Sequence, residues 1–578
     1  MNSTAIILAA ALFLLLGYHF YGRLIEQRVV EPEQDRQTPA FALRDGVDYE
    51  PARPVVLFGH HFSSIAGAGP IIGPVLGIAL FGWAAVLGWI VLGTLFIGGV
   101  HDYLSLMMSS RRQGRSVADI SDEVISPRAG VVFSIFLWLA LVLVIAVFAV
   151  VGSKALMTPG IGPQMVFPTF MLIVIAMLFG ITIRRGWLPL WLSTLLAVGL
   201  MGLAIYAGYA YIHLSLDALF PGNEVLQTNL WFIILMIYCL IASVLPVWLL
   251  LQPRDYISVF KLFLGLLLGC TGIMLAHPQM HAPAYSGLRS SSGPLWPMLF
   301  VIVACGAISG FHSVVASGTS AKQLPAERFG RRIGYGAMVL EAFLAVMVLC
   351  LVGAGLYWSK AYAGNALYAP DILKSGGGPL AVFAKGFGNV VGAQAFPWIG
   401  MGLASLLGMI VLKTFVLTTL DTCTRLARFV VTEQLGEVSW VFRSRFVATI
   451  VTVVPAFIIG YSGAWQKVWP VFGAANQLIA ALTLLVLTCY LLGIRKPSAY
   501  TSIPAAFMLL TTIGALVYQA YGFFTHTTET GIWQPQWLLG GLSVVLVALA
   551  IYVGIEALAR IRRLVREGDT RAYTAIEE

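Results

Sequence analysis

The sequence predicts an all-α polytopic membrane protein with about fifteen transmembrane helices, two of them discontinuous and pointing in opposite directions. Three observations carry this reading. First, the 578 residues are 59% hydrophobic and only 11% charged, with a mean hydropathy of +0.86, whereas soluble chains carry roughly 25% charged residues. Second, about fifteen apolar runs are long enough to span a bilayer. Third, two of these runs are interrupted near their centres by Gly, Pro, Ser and His.

The runs lie near 4–21, 54–81, 83–108, 129–152, 166–183, 188–213, 229–250, 256–276, 295–319, 334–357, 394–424, 446–463, 468–493, 502–524 and 536–559. Their connections alternate in charge. Arg23, Arg28, Arg36, Arg44 and Arg53 fill the first, and Arg111, Arg112, Arg115 and Arg128 the third. Arg184 and Arg185 follow in the fifth, Arg254 with Lys261 at its edge in the seventh, and Lys322, Arg328, Arg331 and Arg332 in the ninth. The eleventh holds Arg425, Arg428, Arg443 and Arg445, and the thirteenth Arg495 and Lys496; the tail adds five more, so 28 of the 35 basic residues fall on one side. The positive-inside rule then sets the C-terminus in the cytoplasm and the N-terminus outside. The net charge of +9 therefore reads as topology, and no nucleic-acid partner is expected. Run 4–21 has no basic residue before it and Arg23 and Arg28 after it, the flanks of a retained helix rather than a cleaved leader. The six cysteines lie in or at the ends of apolar runs without a C-x-x-C, which predicts neither a disulfide framework nor a metal cluster.

The first interrupted run, RPVVLFGHHFSSIAGAGPIIGPVLGIALFG from Arg53 to Gly82, carries His60, His61, Ser63, Ser64 and Gly67-Ala68-Gly69-Pro70. Backbone groups freed by such a break survive at membrane depth only where protein or a wet cavity receives them, and broken helices of this kind mark binding sites in secondary transporters. The second, LWPMLFVIVACGAISGFHSVVASGTS, carries Gly306, Gly310, His312, Ser313, Ser317 and Gly318. His61 precedes Gly67 by six residues, and His312 precedes Gly318 by six. By the charge alternation the two runs cross in opposite senses, the mark of an inverted repeat. Tight packing of small residues between helices is the competing explanation.

Ionisable residues inside spans are rare and usually functional. Here they are His60, His61, His101, Asp102, Glu341, Lys413 and Asp421, with His312 in the second broken run. The histidines suit substrate contact or proton relay. Asp421 has Arg425 at i+4, so a local ion pair at the inner surface competes with a coupling role. Thr418 and Thr419 supply hydroxyls beside it. Three roles fit Lys413: pairing with Glu341, standing in place of a coupling cation, or holding a substrate carboxylate. Asn476 and Gln477 read as helix–helix hydrogen bonding.

The segments FGHHFSSIAGAGPIIGPVL (58–76), VHDYLSLMMSSRRQGRS (100–116), VLPVWLLLQPRDYIS (244–258), ACGAISGFHSVVASGTSAKQL (304–324), TLDTCTRLARF (419–429) and WPVFGAANQLIA (469–480) resemble the carbon starvation protein A family. The resemblance runs from about residue 45 to 495. It implies an inner-membrane importer used when preferred carbon is scarce, with small peptides and pyruvate as family substrates and proton symport for the pyruvate transporters. It also implies a five-plus-five inverted repeat of the leucine-transporter type. The chain departs from the longer members after residue 360 and at its C-terminus, and has Leu412-Lys413 where many relatives carry an acidic residue. The two broken runs are seven spans apart, so the preferred reading inserts two helices in the first half. The chain then divides into an N-terminal helix and cytoplasmic loop (1–53), a first repeat with inserted helices (54–276), a second repeat (295–493), and peripheral helices with a cytoplasmic tail (494–578).

The expected function is secondary active import of a small carboxylate-bearing nutrient, by alternating access. His60, His61, Ser63, Ser64, Gly67, Gly69, Gly310, His312 and Ser313 are the expected substrate contacts. Asp102, Glu341, Lys413, Thr418, Thr419 and Asp421 are the expected coupling residues. The coupling ion is a proton, or sodium in the alternative reading; the other surroundings are membrane lipid, and no cofactor or metal is expected. The absence of G-x-x-x-x-G-K-[ST] argues against ATP as the direct driver. Without H-E-x-x-H or G-x-S-x-G a membrane enzyme is disfavoured. A channel remains a rival and would show flux without accumulation.

Overall fold

Bilayer-length apolar runs can satisfy their backbone groups only as helices or closed barrels, and the chain takes the helical route. The computed structural model describes residues 1–567 apart from 47, 247, 375–377, 437, 462–464 and 528–535. The end of the tail, with Arg571, lies outside the described residues, as does the Lys467 side chain.

The chain opens with α1 (Ser3–Ile25) and a short α2 (Pro39–Ala42). The first interrupted crossing is α3 (Pro54–Ala66) followed by α4 (Gly69–Phe81). Pro54 stands in the first turn of α3, where its missing N–H has no partner to lose. Gly67 ends α3 at φ +51°, ψ −159°, a conformation open essentially to glycine. Next, α5 (Trp83–Gly93) passes through a π turn (Thr94–Gly98) into α6 (Gly99–Arg111), and a short α7 (Val117–Val124) follows. Ser126 then caps α8 (Pro127–Leu156), its hydroxyl accepting from the Ala129 N–H at 3.2 Å.

Four crossings close the first half: α9 (Gly162–Arg185), α10 (Leu190–Ala210), α11 (Glu224–Val244) and α12 (Leu251–Ala276). A two-residue hairpin, β1 (Arg289–Ser290) and β2 (Gly293–Pro294), leads into the second interrupted crossing. This is α13 (Leu295–Ile302), a non-helical link, α14 (Gly310–Val315) and a π turn (Ala316–Ser320). Then come α15 (Gly330–Gly355), α16 (Ala369–Lys374), α17 (Gly378–Phe387), α18 (Met401–Leu435), α19 (Arg445–Tyr461), α20 (Trp465–Gly493), α21 (Ala499–Phe524) and α22 (Trp537–Glu567).

Among the described residues, 13 helical segments are long and apolar enough to cross a membrane. The interrupted run Leu295–Ser320 and the shorter apolar helix α19 bring the crossings to the expected fifteen. The crossings differ in depth: the apolar window of α20 is 94% buried and that of α10 only 22%. The centre is built from α3, α4, α6, α8, α14, α15, α18 and α20, while α9 and α10 pack against one another at the margin.

The stretch after residue 360, read from sequence as a connection, instead holds α16 and α17. The latter is buried against α15, α18 and α4. Its sequence GPLAVFAKGF, with Lys385 and three glycines or prolines, falls short of a spanning pattern. On the Arg-rich face, Glu327 is 1% exposed and ties three segments together. It accepts from Arg111 Nη2 at 2.8 Å and Nε at 3.0 Å and from the Glu33 N–H at 3.0 Å.

Candidate functional site

The two breaks pack directly on each other. A Cβ on Gly69 would lie 2.4 Å from Cys305 Cβ, and one on Gly73 3.2 Å from the Ile302 carbonyl oxygen. Glycine at both positions allows this close approach of α4 to the link between α13 and α14. The backbone groups freed in the second break are received one by one. Trp89 Nε1 donates to the Val303 carbonyl at 3.0 Å, Thr94 Oγ1 to Gly306 at 3.2 Å and Gln477 Nε2 to Phe300 at 2.5 Å. Asn476 Oδ1 accepts from the Phe311 N–H at 2.9 Å, and Asn476 Nδ2 donates to Ser309 Oγ at 2.9 Å. Asn476 and Gln477, expected as ordinary interhelical contacts, thus hold the break open in one geometry. Gly310 lies against the α20 backbone, where a Cβ would meet the Asn476 carbonyl oxygen at 2.2 Å. Ser313 Oγ donates to the Gly310 carbonyl at 2.7 Å and lies 3.1 Å from Thr483 Oγ1.

Beside the breaks, buried titratable residues from α6, α14 and α15 meet. Asp102 Oδ2 lies 2.9 Å from His312 Nδ1, and Asp102 Oδ1 lies 2.7 Å from His101 Nδ1. An ionised Asp102 accepts from both rings, which fixes the protons of both on Nδ1. The other nitrogen of His312, Nε2, lies 3.2 Å from Glu341 Oε2. That is ion-pair range but off the line of a hydrogen bond, and both Glu341 oxygens are buried without a hydrogen-bond partner. With Asp102 ionised and Nδ1–H committed to it, a single proton between Nε2 and Glu341 would give either a protonated carboxyl facing a neutral ring or a carboxylate facing an imidazolium. His61 stands next to this group, its Nδ1 2.7 Å from Ser320 Oγ and its Nε2 buried without a partner. His61, Asp102, His312 and Glu341 are all 0% exposed.

A second network joins α3, α11, α12 and α18. His60 Nδ1 lies 2.8 Å from Asp255 Oδ2. Arg254 Nη2 donates to Asp255 Oδ1 at 2.6 Å and to Asp421 Oδ1 at 3.1 Å, while its Nη1 contacts Asp421 Oδ2. Tyr238 Oη donates to Asp421 Oδ2 at 2.7 Å and accepts from Arg254 Nη1 at 2.7 Å. The charge alternation places Arg254 in a connection, and Arg425 at i+4 is one of two explanations the sequence offers for Asp421. Instead Arg254 is 0% exposed, because α12 begins at Leu251 and carries the guanidinium inward. Arg425 turns to the Ala242 and Leu245 carbonyls, at 3.1 and 2.6 Å. A cavity of about 500 Å³ lined by Arg44, Glu50, Arg184, Gln252 and Tyr256 opens beside this network.

The remaining expected residues divide. Thr419 Oγ1 lies 3.5 Å from the Ser64 carbonyl oxygen, and a Cβ on Gly67 would sit 3.2 Å from it, so Thr419 borders the first break. Thr418 donates to the Thr414 carbonyl at 2.9 Å within its own helix, and Ser63 to His60 at 3.1 Å. Ser64 Oγ is buried without a partner. Lys413 does not reach Glu341, which faces His312; its Nζ donates to the Gly152 carbonyl at 2.8 Å. Among the described residues no group of three His, Cys, Asp or Glu is arranged to hold a metal.

Two mutually packed, interrupted crossings beside a buried titratable cluster define the fold of a membrane transporter with discontinuous helices. The solved structure of an Eremococcus coleocola manganese transporter is similar in fold, with a TM-score of 0.51, 13% identity, and 90% of this chain and 99% of that chain covered. The model of the family described as "Carbon starvation protein CstA" matches residues 2–368 and 364–515, and the chain belongs to that family. It is 34% identical to the Mycobacterium tuberculosis peptide transporter CstA, over 92% of this chain and 77% of that protein. It is 31% identical to the Escherichia coli pyruvate/proton symporter BtsT, over 88% and 81%. With the Bacillus subtilis peptide transporter CstA it shares 29% identity over the full length of both.

Proposed function

We propose that this chain imports a small carboxylate-bearing nutrient, pyruvate or a short peptide, by proton symport, with its N-terminus outside and its C-terminus in the cytoplasm. The observation that carries the coupling ion is His312, held between Asp102 and Glu341 in the water-poor interior. A proton entering Nε2 or Glu341 changes the charge of a cluster that touches α6, α14 and α15 at once, so protonation can bias how these helices pack. The substrate carboxylate is assigned to the α4 side of the breaks, near Gly67, Gly69 and His61. The competing helix start, α14, already has its Phe311 N–H occupied by Asn476. An anion suits a helix start through the unpaired N–H groups and their partial positive charge.

In this reading α9 and α10 are the inserted pair of the first half, and α13 to α20 form the second repeat. Sodium coupling is the second reading, favoured by Thr419 lying against the Ser64 carbonyl. Uptake of labelled pyruvate and of a labelled dipeptide into proteoliposomes, under an imposed pH gradient or an imposed sodium gradient, tests both. Accumulation under the pH gradient alone supports the proton reading, accumulation under the sodium gradient alone the second, and accumulation under neither removes symport.

A further inference from the structure

The cavity of about 500 Å³ beside the Arg254 network is lined by no residue of the two breaks. It lies where the end of α9 and the starts of α3, α10 and α12 meet on the Arg-rich face. Its lining divides by chemistry: Arg44, Glu50, Arg184 and Gln252 are polar, whereas Val56, Phe179, Ile183 and Leu190 are apolar. Both arginines are exposed. Arg44 is matched, its Nε donating to Glu50 Oε2 at 3.0 Å. Arg184 lies over Trp248, its guanidinium carbon 4.0 Å from the ring centroid, and among the described residues no carboxylate pairs with it. Two arginines against one carboxylate leave the cavity one positive charge in excess. The surroundings set its depth. Trp187 and Trp191, 61% and 69% exposed, stand between α9 and α10 and at the start of α10, and exposed tryptophans gather where lipid headgroups meet acyl chains. The walls are held in place: Thr194 Oγ1 on α10 lies 3.0 Å from Tyr256 Oη on α12, and α9 packs so closely that a Cβ on Gly180 would meet the Trp248 carbonyl oxygen at 2.8 Å.

We propose that this cavity holds one anionic phospholipid from the leaflet on the Arg-rich face, its phosphodiester at Arg184 and an acyl chain along Val56, Phe179, Ile183 and Leu190. A guanidinium matches two phosphate oxygens with parallel N–H bonds, and a lipid of net charge −1 cancels the excess positive charge. The volume falls within the roughly 300–1,000 Å³ of small-ligand sites. A free small anion satisfies Arg184 but leaves the apolar wall uncovered, whereas a lipid covers both. The bound lipid joins the marginal pair α9 and α10 to α12 and to α3, the first half of an interrupted crossing. The site stands or falls on lipid binding, whatever the transported acid and the driving ion.

The test is thermal unfolding of the purified, delipidated full-length protein in a neutral detergent at constant ionic strength. Four probes are titrated: didecanoyl phosphatidylglycerol, didecanoyl phosphatidylcholine, inorganic phosphate and pyruvate. The expected result is a saturable rise in Tm with phosphatidylglycerol, at lower concentration than with phosphatidylcholine, and no matching rise with phosphate or pyruvate. Arg184→Gln should move the phosphatidylglycerol midpoint up about tenfold, as the loss of one charge-assisted contact predicts. Arg332→Gln, on the same face but outside the cavity, should leave that midpoint in place. Should Arg184→Gln fail to fold, Leu190→Glu, which sets a carboxylate in the apolar wall, carries the same demand. Equal responses to the two lipids, a rise reproduced by phosphate or pyruvate alone, a midpoint unchanged in the cavity variant, or an equal shift in Arg332→Gln overturns the proposal.

Discussion

His312 Nδ1 lies 2.9 Å from Asp102 Oδ2, joining the second interrupted crossing to α6 through one buried hydrogen bond. The other ring nitrogen faces Glu341 on α15 at 3.2 Å. One imidazole thus contacts two carboxylates from two further helices, and its protonation state is felt by all three elements. In the proposed function, that relationship is the means by which charge is coupled to helix packing. It also makes the chain's few buried charges more informative than its many exposed ones.

Arg254 is expected to be the most sensitive charged position outside the His312 cluster. Its guanidinium neutralises Asp421 and Asp255 together, so Arg254→Met leaves two buried carboxylates against Tyr238 and His60. Breaking a buried pair on one side destabilises by about 3–5 kcal/mol. The expected outcome is a large drop in Tm or loss of folded protein. Arg254→Lys should rescue little, because an ammonium cannot reproduce the two-pronged contact. Unfolding midpoints in detergent check this.

Asn476→Ala removes the acceptor of the Phe311 N–H and the donor to Ser309. Leaving the buried Phe311 N–H without its acceptor costs about 1–3 kcal/mol. A measurable fall in Tm is expected, while Gln477→Ala, which removes a single bond to Phe300, should fall less. Side-by-side melting curves decide the order.

Gly69→Ala sets a methyl 2.4 Å from the Cys305 Cβ and should abolish transport by forcing the breaks apart. Because the obstruction is a side chain, Cys305→Gly in the same protein should restore part of the activity. Gly310→Ala has no such remedy, since its Cβ would meet the α20 backbone at 2.2 Å. Uptake by the two single variants and the Gly69→Ala, Cys305→Gly double variant checks the pairing.

Much of this was legible in the amino-acid sequence, and the reasons are physical. Gly67-Ala68-Gly69-Pro70 and Gly306 to Gly310 sit inside spanning runs, where glycine and proline have only a structural exception to justify them, so both breaks could be read directly. The membership of His312, Asp102 and Glu341 in the titratable set was equally plain, because a charge in an apolar run has few innocent explanations. Their meeting was not, since nothing in spacing brings residues 102, 312 and 341 together.

Arg254 was misread for a different reason. The positive-inside rule sorts every Arg by its place between runs, and LLLQPRDYIS has the proline and charge of a loop. The adjacent Arg-Asp pair, flanked closely by apolar residues on both sides, was the available sign that the charge was compensated within the protein. Helix α17 was missed because its glycines and Lys385 suppress the apolar pattern by which crossings are recognised.

The most direct test of the central account is accumulation of labelled pyruvate in proteoliposomes under an inward proton gradient, comparing the wild-type chain with His312→Gln. The account predicts that the wild-type protein concentrates substrate, and that the variant, inserted in equal amount, does not. Equal gradient-driven accumulation by the two proteins would contradict it.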